Sequence, residues 1–278
     1  MTTTAPRLPT APPPPAAPAK AGVAFGSIAT GAGFRAVIYG PGGIGKTTMA
    51  CSAPGPIGYF DLDDSLPRLR GNLETAGLLD GIRVVSGIES WQALRAALTA
   101  GGWDGIKTLV IDSLTRAEEL AAAFTLATVP HEKGHKVQRL EDYGYGKGYQ
   151  HVYDSLLPLL GDLDAHCRAG RNVVLICHDC TTNVPNPAGD DWLRYEPRLQ
   201  SPASGKASVR LRVREWADGV LFLGYDVAVD REGKGKGSGT RTLYPVELPF
   251  CMAKSRTFRD AVPVAADGAA IWKKILGQ

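Results

Sequence analysis

Residues 34–47 read Phe34-Arg35-Ala36-Val37-Ile38-Tyr39-Gly40-Pro41-Gly42-Gly43-Ile44-Gly45-Lys46-Thr47. The first six are β-prone and mostly apolar, so a strand is expected over Phe34–Tyr39. The next eight fit G-x-x-x-x-G-K-[ST] at every fixed position. A helix is expected from about Gly45 to Ser52. Strand, glycine loop and helix in that order form a phosphate cradle. The glycines let the backbone curl so that its N–H groups point inward, and the helix start adds partial positive charge. Lys46 reaches the β- and γ-phosphates of a nucleoside triphosphate, and the Thr47 hydroxyl ligates Mg²⁺. Gly40, Pro41, Gly42, Gly43, Ile44, Gly45, Lys46, Thr47 and Thr48 are therefore the candidate ATP-contacting set.

Such a loop needs an acidic residue at the tip of a neighbouring strand to hold the magnesium shell. Thr108-Leu109-Val110-Ile111-Asp112 supplies one, with Asp112 at the carboxyl end, where open α/β sheets place their sites. Many AAA+ ATPases carry a glutamate at the next position as the base that activates water. Here it is Ser113, so a base must come from elsewhere.

Working outward, short β-rich runs alternate with helical stretches. Strands are expected at Ile57–Leu62, Ile82–Val85 and Asn172–His178, with helices at Trp91–Thr99, Leu114–Thr128 and His151–Ala169. A helix around Ser208–Trp216 precedes strands at Val220–Tyr225, Arg241–Glu247 and Phe250–Ala253. The pattern implies an α/β fold with a mainly parallel sheet and an antiparallel extension near the end.

With these residues in order, the chain resembles the RecA-like recombinase ATPases, and within them a phage family of single-strand-annealing recombinases. The resemblance spans roughly residues 33–262. It rests on the phosphate loop, on Asp112-Ser113 at the strand tip, and on a chain of shorter matches. It implies a RecA-like P-loop NTPase core with a mainly parallel twisted sheet, helices on both faces and an antiparallel C-terminal extension. By position in Tyr59-Phe60-Asp61-Leu62-Asp63-Asp64-Ser65-Leu66, Asp63 matches the family's glutamate base. Aspartate is one methylene shorter, and Asp61 and Asp64 stand beside it as alternatives. Leu175-Ile176-Cys177-His178 resembles the family's sensor strand, which lies between the P-loop strand and the Asp112 strand; His178 takes the place of the usual glutamine. Ala253-Lys254-Ser255-Arg256 resembles a Lys-x-Lys element that reaches a neighbouring subunit's ATP, with Arg256 for the second lysine. Asp142–Tyr149 resembles a segment typical of the phage family. The implied partners are single-stranded DNA, further copies of the chain in a ring or filament, and a single-strand-binding protein.

Two stretches suit nucleic acid on their own chemistry. In residues 131–149, Lys133, Lys136, Arg139 and Lys147 interleave with Tyr143, Tyr145 and Tyr149; cations track phosphates and aromatic faces stack bases. Residues 179–206 are rich in Asn, Pro, Gly and Asp, end on Lys206, and are too long for a simple connection. Each also reads as a solvated surface loop. Cys177-His178-Asp179-Cys180 lacks a second metal-ligand pair at zinc spacing, which disfavours a zinc site. Lys234-Gly235-Lys236-Gly237 reads as a hairpin turn. Two other functions compete: a small-molecule P-loop kinase, disfavoured because no arginine-rich lid stands between Asp112 and Asn172, and a nucleotide-switched loader with little turnover.

The rest of the chain sets bounds. Net charge is +3, too small for a globally basic nucleic-acid binder, so any basic surface is local. Residues 1–20 are crowded with proline and alanine, and residues 1–30 are expected to be a disordered tail ahead of one ATPase domain at 31–278. No apolar run has the length of a leader or of a membrane span, and the five cysteines are irregularly spaced. Together these suggest the cytoplasm, or the host cytoplasm for a phage protein.

Overall fold

The computed structural model describes residues 25–28, 30–203, 206–229, 235–264 and 267–278. The proline-rich run and Lys234 lie outside the described residues. By compactness the chain divides into Met1–Thr30 and Gly31–Gln278, and all the described strands and helices belong to the second unit.

Runs of consecutive apolar residues make strands that are buried on both faces, which only an inner position in a sheet allows. In chain order the strands are β1 (Arg35–Tyr39), β2 (Ile57–Asp61), β3 (Ile82–Val84), β4 (Thr108–Asp112), β5 (Asn172–Cys177), β6 (Asp179–Val184), β7 (Trp192–Pro197), β8 (Gly219–Val229), β9 (Gly235–Tyr244), β10 (Lys254–Ser255) and β11 (Val262–Pro263). The helices are α1 (Lys46–Cys51), α2 (Leu66–Thr75), α3 (Trp91–Thr99), α4 (Leu114–Thr128), α5 (Lys147–Arg168), α6 (Val209–Trp216) and α7 (Gly268–Ile275).

The main sheet has the order β11-β9-β8-β1-β5-β4-β2-β3, with β10 also paired to β8. From β8 to β3 every pairing is parallel; β9, β10 and β11 pair antiparallel. Successive residues of β1 alternate between two cores, as the period of a strand requires. Val37 and Tyr39 join the core under α3, α4 and α5, with Leu94, Leu114 and Leu159. Ala36 and Ile38 join the core under α1, α2 and α7, with Met49, Leu73 and Trp272. The expected α/β architecture, with helices on both faces and antiparallel strands towards the end, is therefore present.

Several expectations need correction. Residues 179–206 are not a plain loop: β6 and β7 form a separate two-stranded antiparallel sheet, Asp179 opposite Pro197 and Val184 opposite Trp192. Phe250–Ala253 is not a strand. Leu248 and Cys251 exchange backbone hydrogen bonds at 3.1 Å around Pro249, whose ring favours a turn, and the strand follows at Lys254. β9 ends at Tyr244, ahead of Pro245, which has no N–H for the ladder. It begins at Gly235, so Gly235–Gly237 lies within that strand and not in the turn. Helix α5 starts at Lys147, four residues before the expected His151.

Candidate nucleotide site

The phosphate loop sits between β1 and α1, at the carboxyl edge of the parallel strands. Gly40 passes so close to β8 that a Cβ there would lie 2.1 Å from the Leu223 carbonyl oxygen. Gly45 has φ 104°, a left-handed conformation that favours glycine. Lys46 is 8% exposed and folds over its own loop, its Nζ donating to the carbonyls of Gly40 (2.6 Å) and Pro41 (2.9 Å). Burial holds its ammonium below the ordinary lysine range, against the opposing pull of Asp179 and Asp112.

Asp112 is 3% exposed at the tip of β4, two strands from β1. The Thr47 hydroxyl donates to Asp112 Oδ2 at 2.7 Å, and Tyr59 OH donates to the same oxygen at 2.7 Å. Ser65 Oγ also lies 3.3 Å from it. Burial raises the Asp112 carboxyl, while the bonds from Tyr59 and Thr47 pull the other way. The donors gathered here are hydroxyl and carboxylate oxygens, the hard set that suits Mg²⁺. The Asp112–Ser113 peptide is cis, and Ser113 caps α4 by accepting from Arg116 N at 3.1 Å.

A sequence family described as an AAA domain matches residues 32–257, which include the loop, Asp112 and every strand of the main sheet except the edge strand β11. The chain belongs to the AAA-domain family. It is thus an AAA-type P-loop NTPase domain, the class that binds and hydrolyses nucleotides. Comparison with curated protein sequences gives no match.

Around the loop of this AAA domain, the other expected site residues fall into three places. Asp63 follows β2 and His178 follows β5, and the sheet order brings them together: His178 Nε2 donates to Asp63 Oδ2 at 3.1 Å. Burial works to raise the Asp63 carboxyl, but the hydrogen bonds from His178 and Ser113 outweigh it and hold it below the ordinary carboxylate range. The two alternatives are placed differently. Asp61 accepts from Ser65 N (2.9 Å) and Leu66 N (3.0 Å) at the start of α2, and Asp64 is exposed with φ 52°.

Lys254 and Arg256 lie elsewhere. Lys254 pairs with Val220 and Ser255 with Gly219, which in turn stand beside Val37 and Ala36 near the start of β1. That is the end of the sheet opposite the phosphate loop. Lys254 Nζ donates to the carbonyl of Arg214 at 2.7 Å, and Arg256 Nη1 lies 3.3 Å from Asp218 while remaining 60% exposed.

The third place holds the residues expected to meet nucleic acid. Lys136, Arg139, Tyr145 and Lys206 are exposed. Lys147 Nζ pairs with Glu132 at 2.6 Å, and Tyr149 OH donates to Glu141 at 2.6 Å. Tyr143 is not a surface ring: it is 5% exposed, and its hydroxyl donates to the Val129 carbonyl at 2.7 Å, anchoring the segment to α4. Its ring offers no free face to a base.

Four residues that motif reading passed over complete the neighbourhood. Asp179, directly after His178, is close enough to be the largest stabiliser of the Lys46 charge. Tyr39, the residue before the loop, donates its hydroxyl to the Met252 carbonyl at 2.6 Å, and the same hydroxyl lies 3.0 Å from the Tyr195 carbonyl on β7. Gln200 donates from Nε2 to the carbonyls of Tyr149 and Ala207, both at 2.8 Å, and the first of these bonds ties the two candidate nucleic-acid stretches to each other. Arg241 on β9 donates from Nη1 to the Ile44 carbonyl of the loop at 2.8 Å. Only Asp179, as the neighbour of a sensor residue, carried a local signal in the sequence.

Proposed function

We propose that this chain is an ATP-hydrolysing DNA recombinase of the phage type, binding single-stranded DNA and promoting annealing or strand exchange as an oligomer. The loop amides and Lys46 hold the triphosphate. Thr47 and Asp112 hold magnesium, which when bound neutralises phosphate charge and orients the γ-phosphate. Asp63, kept ionised by its partner His178, takes the proton of the attacking water. Arg256 serves a neighbouring copy's nucleotide, because its own loop is at the other end of its sheet.

One observation carries the reading. His178 touches the candidate base, and the very next residue begins the β6–β7 hairpin. A change at the γ-phosphate that moves Asp63 is thereby passed to the hairpin, whose exposed Trp192 and Tyr195 suit base stacking. Tyr39 gives a second link from the loop to the same hairpin, and Gln200 extends it to the Lys136–Tyr149 segment.

The test is binding of a fluorescent oligothymidylate to the full chain, by anisotropy, with and without a non-hydrolysable ATP analogue and Mg²⁺. Binding should strengthen with nucleotide and weaken with added salt. Absence of binding at low salt in every nucleotide state would overturn the DNA assignment.

A further inference from the structure

The order of the main sheet fixes which way a nucleotide lies on the loop. Asp112, Asp63 and His178 stand at the tips of β4, β2 and β5, all on one side of β1. This is the side of the metal and the γ-phosphate in the function proposed above, on which the present inference rests. The α-phosphate and nucleoside must then leave the loop towards the other side, over β8 and β9.

On that side there is a concavity of about 130 Å³ beside the loop. Its wall is formed by Thr48, Met49 and Ser52 of the first helix and its end, Val264 after β11, and Ile271 of α7. Trp272, 1% exposed, locks α7 onto α1 by donating from Nε1 to the Met49 carbonyl at 2.8 Å. The C-terminal helix is thus a fixed wall and not a loose end. The wall is mainly apolar, with one guanidinium at its rim. That group is Arg241, whose Nη1 meets the Ile44 carbonyl and would lie 2.5 Å from a Cβ on Gly45. The loop backbone therefore has room for Arg241 because residue 45 is glycine.

We propose that this concavity is the nucleoside subsite and that Arg241 is its positioning residue, holding the base by its planar guanidinium. A guanidinium fixed by one backbone bond keeps its face and its remaining N–H groups for a ligand. Against an aromatic base it contributes stacking and cation–π attraction, which is strongest where water is excluded. Phosphate recognition stays with the loop amides and Lys46, so the two parts of the ligand are read separately.

Calorimetric titration with MgATP and with magnesium tripolyphosphate separates them, since tripolyphosphate has the three phosphates and no nucleoside. The native chain should bind ATP more tightly than tripolyphosphate. Arg241→Ala should weaken ATP by ~10-fold, the equivalent of about 1.4 kcal/mol, and leave tripolyphosphate unchanged. Unchanged tripolyphosphate binding also shows that the loop is intact in the variant. Arg241→Lys, which keeps the charge and loses the plane, should fall between the two for ATP. An equal loss for both ligands would make Arg241 a phosphate or loop-supporting group and overturn the proposal, as would no loss for either. If the native chain binds neither ligand, the phosphate-loop reading itself fails; if it binds both equally, that reading stands and the nucleoside subsite falls.

Discussion

Asp63 Oδ2 and His178 Nε2 lie 3.1 Å apart, although the two residues are 115 positions apart in the chain. The contact exists because β2, β4 and β5 are consecutive in the sheet and end at the same edge. It links the candidate base to the strand that opens the hairpin. It also decides how the base titrates. Burial alone would raise the Asp63 carboxyl, and the bonds from His178 and Ser113 hold it below the ordinary carboxylate range.

The first prediction follows from that sign. With a lowered pKa, Asp63 stays ionised as pH falls, so the acid limb of kcat lies below the ordinary carboxylate range. His178→Ala removes the hydrogen bond and leaves burial, which moves the acid limb to higher pH. His178→Gln, which can still donate, should move it less. A pH–kcat profile of the three proteins checks this; identical acid limbs would mean that His178 does not set the protonation of the base.

The second concerns which aspartate acts. Asp63→Asn should bind ATP normally and hydrolyse it at least ~10²-fold more slowly. Asp64→Asn, at an exposed position, should turn over at the native rate. Asp61→Asn weakens the cap of α2 and should lower stability by about 0.5–2 kcal/mol, measured by denaturant unfolding, with a smaller effect on turnover. If Asp64→Asn stops turnover and Asp63→Asn does not, the assignment is off by one residue.

How much of this was open to reading depends on distance along the chain. The phosphate loop and Asp112 are each local: a motif within eight residues and an acid at the end of an apolar strand. Asp63 and His178 were readable one by one, but their contact depends on strand order, which no local pattern carries. The β6–β7 hairpin does not stand out in the sequence because its strands, Asp179–Val184 and Trp192–Pro197, are short and largely polar, and Asn186, Pro187 and Gly189 between them dominate the pattern. Tyr143 looked like its neighbours Tyr145 and Tyr149; only the packing of residues 140–143 against α4 turns it inward. Arg241 sits on an ordinary strand far from the loop it touches, and nothing near it in sequence marks it.

The third prediction tests the basic segment. Lys136, Arg139 and Lys147 replaced together by Ala should flatten the slope of log affinity against log salt by roughly 2, at about 0.7 per phosphate contact on single strands. Lys147 is paired with Glu132 in the free protein, so its share of that change requires the pair to open on binding. An unchanged slope would move the DNA to the hairpin and Lys206.

The fourth tests assembly. Arg256 lies at the opposite end of the sheet from its own loop, so any action on a nucleotide must be on a neighbour's. Lys46→Ala and Arg256→Ala should each be nearly inactive alone, since an arginine acting in trans contributes ~10³-fold or more. Mixed together they should recover activity, because some interfaces then pair an intact loop with an intact arginine. No recovery at any ratio, with co-assembly demonstrated by sedimentation, would remove Arg256 from the reaction.

The most direct measurement is the rate of ATP hydrolysis by the full chain with Mg²⁺, in the presence and absence of single-stranded DNA. The proposed coupling of hydrolysis to DNA predicts slow turnover alone and a marked rise with single-stranded DNA, through the Asp63–His178 link to the hairpin, and no such rise in Asp63→Asn. Turnover that is the same with and without DNA, at low salt and at protein concentrations where the chain assembles, would contradict it.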